Sequence, residues 1–107
     1  MRSPSISEID ELKKFFVEKG VKRIALRKNN DCYVGYLEYR DKIYEIIFSK
    51  GELSNNYMIK LIYRSSDYLS CEYMLYNPYG LFVFAEDLKE LVAKTINKLD
   101  IIERFKI

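Results

Sequence analysis

Apolar residues recur at helical spacing near the two ends of the chain and at alternate positions between them. In the N-terminal stretch the recurring residues are Ile6, Ile9, Leu12 and Phe16. This spacing predicts a helix over residues 6–19, and Ser5 and Glu8 form the capping box typical of a helix start. From Glu86 onward the recurring residues are Leu88, Leu91, Val92, Thr95, Ile96 and Leu99. They predict a C-terminal helix, with Glu86 and Asp87 in the first turn, where the helix dipole favours carboxylates.

Short segments with alternating residue character, several rich in tyrosine, fill the region between these helices and predict β-strands. The predicted strands are residues 21–26, 32–39, 42–48, 57–64, 68–76 and 81–84. A two-residue turn at residues 40–41 would join the second and third strands in a hairpin with Tyr39 opposite Lys42. A three-residue connection at residues 65–67 would join the fourth and fifth strands in a second hairpin.

Together these elements predict a single α+β domain over residues 1–107, built as a two-layer sandwich. An N-terminal helix would precede an antiparallel meander sheet of four to six strands, and a C-terminal helix would pack on one sheet face. In the first hairpin the face toward the helices would carry Tyr33, Leu37, Tyr44, Ile46 and Phe48.

The opposite face of the predicted sheet is neither a core nor a well-solvated surface. It would carry Val34, Tyr36, Glu38, Ile43, Glu45 and Ile47 from the first hairpin and Met58, Lys60, Ile62, Arg64, Ser70, Glu72, Met74 and Tyr76 from the second. Its isoleucines and methionines form a patch that monomers rarely leave bare. Three alternatives remain open. The chain covers the face itself, through a loop, residues 49–56 or the C-terminal tail; a protein covers it; or it binds single-stranded nucleic acid.

The favoured hypothesis is a non-enzymatic interaction protein that presents this face to another protein or to a second copy of itself, as a homodimer. The predicted contact residues are Tyr36, Ile43, Ile47, Ile62 and Met74 for apolar contacts, and Lys60 and Arg64 for charged ones. Small proteins by which viruses or mobile elements inhibit host proteins are often compact, mixed in charge and without catalytic motifs, which makes this chain a candidate for that type.

The alternative is a single-stranded nucleic-acid-binding protein, in which aromatic side chains stack on bases while cations follow the backbone. Its candidate residues are Arg23, Tyr36, Lys60, Arg64 and Tyr76, beside a basic corner at residues 22–28. Glu38, Glu45 and Glu72 oppose this hypothesis because they would repel phosphates. The same carboxylates could bind a hard cation, which makes a metal-dependent nuclease the least favoured alternative.

The composition offers little for catalysis. The chain has no histidine, which excludes Ser-His and Cys-His nucleophile pairs, and its four glycines are too far apart for a phosphate-binding loop. We therefore expect no catalytic residue, cofactor, metal or small-molecule substrate. The net charge of +2 is small, and the absence of tryptophan and glutamine fits either a thermophile or an AT-rich genome such as that of a virus.

The two cysteines, Cys32 and Cys71, fall in separate predicted strands. No apolar stretch after Met1 could serve as a signal peptide or membrane span, so we expect no membrane association and a cytoplasmic location. Because disulfides are rare in that compartment, we expect two small buried or half-buried thiols. A disulfide would need the two Cα atoms to lie within about 7 Å of each other.

Overall fold

The computed structural model describes residues 3–51, 56–62, 71 and 80–105, and it confirms the predicted α+β sandwich. Its elements are α1 (Ile6–Glu18), β1 (Arg23–Asn29), β2 (Cys32–Tyr39), β3 (Lys42–Lys50), β4 (Tyr57–Ile62), β5 (Leu81–Ala85) and α2 (Leu88–Phe105). The strands form one antiparallel sheet in the order β1-β2-β3-β4-β5, so each strand pairs with its neighbours in sequence. Both helices pack on the same face, which we call the helix face.

Helix α1 begins at the predicted capping box. The Ser5 hydroxyl accepts a hydrogen bond from the Glu8 N–H at 3.1 Å, and the Glu8 carboxylate accepts one from the Ser5 N–H at 2.9 Å. The helix ends one residue earlier than predicted, and Gly20 follows it with a φ of 98°, a conformation that glycine adopts without strain. The chain can therefore turn sharply into the first strand.

The first three strands form two hairpins with two-residue turns at residues 30–31 and 40–41. Arg40 and Asp41 have φ values of 51° and 65°, the left-handed pair of a type I′ turn, whose twist matches that of the flanking strands. This turn sets Tyr39 opposite Lys42, as predicted. Strand β1 begins two residues later than predicted and extends to Asn29.

The predicted second hairpin is wrong. Strand β4 pairs with β3 along one side and with β5 along the other, with Tyr57 opposite Ala85. Both hydrogen-bonding sides of β4 are therefore occupied, which leaves no place for residues 68–76 beside it. Cys71, in the middle of that predicted strand, has helical backbone geometry, and the rest of the predicted strand lies outside the described residues. Alternation shows that a segment suits a strand, but it does not say which strand is its neighbour.

The hydrophobic core lies between the helices and the helix face of the sheet. The sheet contributes Leu37, Tyr44, Ile46 and Phe48, as predicted, together with Ile59, Leu61, Val83 and Ala85. The helices contribute Ile9, Leu12, Phe16, Leu88, Leu91, Val92, Leu99 and Ile102. Within the described chain, neither helix is both long and apolar enough to cross a membrane.

Two carboxylates tie the helices to the sheet. Glu8 of α1 accepts hydrogen bonds from the Tyr57 hydroxyl and from Lys50 Nζ, the latter at 2.9 Å. Asp100 of α2 accepts a hydrogen bond from the Tyr39 hydroxyl at 2.7 Å and forms a 3.4 Å ion pair with Arg40. Burial, together with the hydrogen bond to Asp100, raises the pKa of Tyr39.

The pKa of Glu8 is held well below its ordinary value. Burial by itself would raise it, but hydrogen bonds from the Ser5 backbone, Tyr57 and Lys50 outweigh burial and lower the pKa from 4.5 to about 2. Because the folded pKa is depressed, the ionised carboxylate stabilises the fold at neutral pH. That stabilisation is lost as the pH falls from about 4.5 toward 2.

We expect Glu8→Gln to lower the free energy of unfolding by about 2 kcal/mol at neutral pH, because it removes the charge that Lys50 and Tyr57 contact. The difference from wild type should shrink as the pH falls toward 2. Urea unfolding followed by circular dichroism at several pH values measures this. The matched control is Glu11→Gln, an exposed position of the same helix, which should change stability by less than about 0.5 kcal/mol. Equal effects of the two substitutions at all pH values would contradict the prediction.

Candidate functional site

The sheet face opposite the helices, which we call the second face, is formed by alternate residues of every strand. These are Arg23, Ala25, Arg27 and Asn29 of β1; Cys32, Val34, Tyr36 and Glu38 of β2; Ile43, Glu45, Ile47 and Ser49 of β3; Met58, Lys60 and Ile62 of β4; and Phe82 and Phe84 of β5. The residues predicted to share this face in the first hairpin do so. Among the described residues, the second face therefore extends from the cations of the outer strand β1 to the phenylalanines of the outer strand β5.

The chain itself covers the middle of the second face. Cys71, from the connection between β4 and β5, packs there in a small second core. Its members are Cys32, Val34, Ile47, Ile62 and Cys71. The Cys71 N–H also donates a hydrogen bond to the Asn29 side-chain oxygen at 3.1 Å. The first of the three sequence-based alternatives therefore holds for this part of the face, through a connection between strands.

The expectation of two free thiols is wrong, because the structure joins Cys32 and Cys71 in a disulfide with a Cα–Cα distance of 6.2 Å. The sequence analysis placed Cys71 within a strand of the sheet. It lies instead above the second face, toward which the Cys32 side chain points. Both residues are buried, with exposed fractions of 0% and 5%.

Three of the predicted contact residues are inaccessible. Ile47, Lys60 and Ile62 are at most 1% exposed, so no partner can reach them in this structure. Tyr36 and Ile43 are 41% and 62% exposed and can contact a partner. Three other candidates, Arg64, Met74 and Tyr76, lie outside the described residues.

Lys60 is predicted to contact nucleic acid in the alternative hypothesis, yet its surroundings are those of a buried amine. It lies between Ile47 and Phe82 in a row across the sheet, and its Nζ atom is 5.0 Å from the centroid of the Phe82 ring. Burial lowers the pKa of Lys60. The Lys60 ammonium group therefore does not lie on the surface along which a nucleic-acid backbone would bind.

The exposed part of the second face next to the 40–41 turn forms what we call the open corner: Arg23, Ala25, Tyr36, Glu38 and Ile43. These residues, with Leu37 beneath them, line a shallow groove of about 320 Å³. Ala25 lies opposite Tyr36 on the edge strand, and its small side chain leaves the space that the groove occupies. Ile43 is the second residue after the turn, and little of the described chain packs over it, because it is 62% exposed.

Ion pairs organise the charge of the open corner. Glu38 lies 3.5 Å from Lys22 Nζ and 3.4 Å from Arg23 Nε, so one carboxylate is shared by two cations. Arg27 and Lys28 are exposed further along the same strand. The corner therefore has a neutral centre and an excess of positive charge along the β1 edge.

Strand β5 displays an aromatic pair that the sequence analysis missed. Phe82 and Phe84 are 44% and 56% exposed, and their rings are nearly parallel with centroids 6.0 Å apart. Residues 81–85 are apolar at every position, a pattern typical of a strand that is buried on both faces. The pattern gives no sign that one of those faces is open.

The described residues contain no group of three or more Cys, Asp or Glu side chains placed to hold a metal ion. Of the three glutamates considered for a cation site, Glu38 is engaged by two cations and Glu45 is buried. The third, Glu72, lies outside the described residues.

No protein-family model, curated protein or solved structure matches this chain. The open corner and the aromatic pair are therefore the features on which a function can be proposed.

We expect removal of the disulfide, in Cys32→Ala with Cys71→Ala, to lower the free energy of unfolding by about 4 kcal/mol, because the bond closes a loop between residues 39 positions apart. Urea unfolding with and without dithiothreitol measures this. Reductant should destabilise the wild type and leave the double variant unchanged. Two thiols that react with an alkylating reagent in the untreated native protein would contradict the prediction.

Proposed function

We propose that this chain is a non-enzymatic protein-binding domain that holds an apolar side chain of a partner protein in the groove of the open corner. One observation carries the proposal. Ile43 is 62% exposed and Tyr36 is 41% exposed beside a groove of about 320 Å³. The middle of the same sheet face is buried by the chain itself, so the fold closes one part of the face and leaves this part open.

The exposed apolar residues of the open corner suit the centre of a small interface with a partner. Complete burial of an isoleucine side chain is worth about 1.5–3 kcal/mol, and tyrosine is among the residues that dominate binding energy at interfaces. A groove of this size takes one side chain and its neighbours. We therefore expect a small interface and weak, reversible binding, with a dissociation constant on the order of micromolar.

The charges around the groove favour an acidic partner. Lys22, Arg23 and Arg27 lie along or beside β1 near the groove, whereas Glu38 is the only carboxylate among the residues that define the open corner. Complementary charges steer association and reject partners of the wrong sign. The partner segment is accordingly an apolar anchor residue flanked by aspartate or glutamate.

The nucleic-acid alternative has less support. Stacking platforms for single strands combine several exposed aromatic residues with a continuous cationic track. The open corner has one exposed aromatic residue, Tyr36, and its central Arg23 is paired with Glu38 at 3.4 Å. Lys60 is buried.

The test is a selection of short random peptides displayed on phage against the immobilised protein, followed by affinity measurement of the selected peptides by fluorescence anisotropy. We expect peptides with an apolar residue among acidic ones. Ile43→Glu should weaken their binding at least about tenfold, because the anchor loses its apolar contact and meets a negative charge. The matched control is Val17→Glu on α1, where the exposed fraction is 59%. It makes the same kind of change far from the groove and should leave binding unaltered.

Three outcomes would contradict the proposal. Selected peptides could bind equally well to wild type and Ile43→Glu. A labelled oligothymidine could bind at low salt and be lost in Arg23→Glu, which would assign the surface to nucleic acid. A dimer that dissociates in Ile43→Glu would assign the open corner to a second copy of the chain.

A further inference from the structure

The two outer strands of the sheet differ in whether charged residues protect them against pairing with a strand of another molecule. Strand β1 carries exposed cations at Arg23, Arg27 and Lys28, and charged residues on an edge strand discourage further strand addition. Strand β5, Leu81–Ala85, contains no charged residue and no proline. Among the described residues, nothing pairs with its outer side. Within the described residues, β1 is therefore an outer strand protected by its own charges, and β5 is an outer strand without charged residues of its own.

The backbone of β5 presents two sets of hydrogen-bonding groups outward. A two-residue turn makes Tyr39 and Lys42 a pair that exchange hydrogen bonds, and the direction of bonding alternates at each residue along every strand. Followed through β3 and β4, this alternation directs the N–H and C=O groups of Phe82 and Phe84 away from the sheet. Lys94 Nζ confirms the direction, because it donates to the Phe84 carbonyl oxygen at 3.1 Å.

The side chains at the same positions are exposed in the monomer, although Lys60 Nζ lies 5.0 Å from the centroid of the Phe82 ring. The rings of Phe82 and Phe84 are about half exposed and lie in parallel at the rim of the second face. Strand addition uses exposed side chains for specificity and outward-facing backbone groups for affinity. At this edge the second copy would take the place of Lys94 Nζ at the Phe84 carbonyl oxygen.

We propose that β5 pairs antiparallel with β5 of a second copy of the chain, so that two five-stranded sheets become one continuous sheet about a two-fold axis. The axis is perpendicular to the sheet, as antiparallel pairing of identical edge strands requires. The Phe82 and Phe84 rings of the two copies meet on the second face and bury one another.

A second copy is the occupant that the charges favour. Self-pairing of β5 brings only uncharged side chains together, whereas self-pairing of β1 would oppose Arg23, Arg27 and Lys28 to their own copies. Beside β5, α2 carries Glu90 and Lys94, which form a 3.1 Å ion pair. This pair is neutral within each copy, so it sets no net charge against the second copy.

This inference does not depend on the proposed function. The open corner lies on β1, β2 and β3, away from β5, and stays accessible in the dimer. Because the axis is perpendicular to the sheet, the two open corners lie on the same side of the assembly. The dimer would therefore offer two grooves to a partner with two suitable segments.

Sedimentation equilibrium over a wide concentration range tests the dimer. We expect the mass to rise from the 12.8 kDa of one chain to twice that value, with a dissociation constant on the order of 10–100 µM, because the interface is small. Phe84→Lys should raise that constant at least about tenfold, because it removes a ring and brings two lysines, one from each copy, into the same interface. Its backbone makes no hydrogen bonds to β4, so the monomer should stay folded. The matched control is Ile43→Lys, equally exposed in the open corner, which should leave the mass unchanged.

Amide exchange by NMR separates edge pairing from any other dimer. The amide protons of Phe82 and Phe84 should exchange rapidly in dilute protein and slowly at concentrations where the dimer forms. Phe82→Pro, which deletes one outward N–H without touching the bonds to β4, gives a second variant that should dissociate the dimer. A monomer at every concentration would overturn the inference, as would a dimer whose Phe82 and Phe84 amides stay unprotected. A dimer lost in Ile43→Lys and kept in Phe84→Lys would overturn it too.

Discussion

The register of the β2–β3 hairpin is the constraint on which the rest of this structure depends. The left-handed pair Arg40 and Asp41 closes the hairpin in two residues and sets Tyr39 opposite Lys42. A shift of one residue would exchange the two faces of both strands. It would move Tyr44 and Phe48 out of the core and bring Glu45 into it. The same register fixes which backbone groups of β5 point outward, two strands beyond β3.

The two faces of the sheet are closed by different means and to different extents. Two amphipathic helices close the helix face, and Glu8 and Asp100 join them to the sheet through buried or half-buried hydrogen bonds. The second face is closed in its middle, where Cys71 is bonded to Cys32. The two ends of that face stay open, at the groove beside Ile43 and at the rings of Phe82 and Phe84.

The charged groups of the described chain form ion pairs and hydrogen bonds within the fold. Glu8, Glu38 and Asp100 are each engaged by a cation, and no three acidic or cysteine side chains of the described residues are placed to hold a metal ion. The described residues also present exposed apolar surface at the open corner and an outer strand, β5, with no further strand beside it. Both are means of association, which is why the proposals concern a partner protein at one end of the second face and a second copy at the other.

The sequence by itself determined the elements whose signals are local. Helical spacing and the Ser5–Glu8 box predicted α1, and alternation with a two-residue turn predicted the β2–β3 register. Partners that are distant in sequence were decided only by the tertiary structure. Examples are the pairing of β4 with β5, the disulfide between Cys71 and Cys32, and the burial of Ile47, Lys60 and Ile62. Periodicity reports which face a residue shares with its neighbours along the strand, but it carries no information on what lies across that face. That is why Tyr36 and Ile43 were predicted to be exposed together with residues that the fold buries.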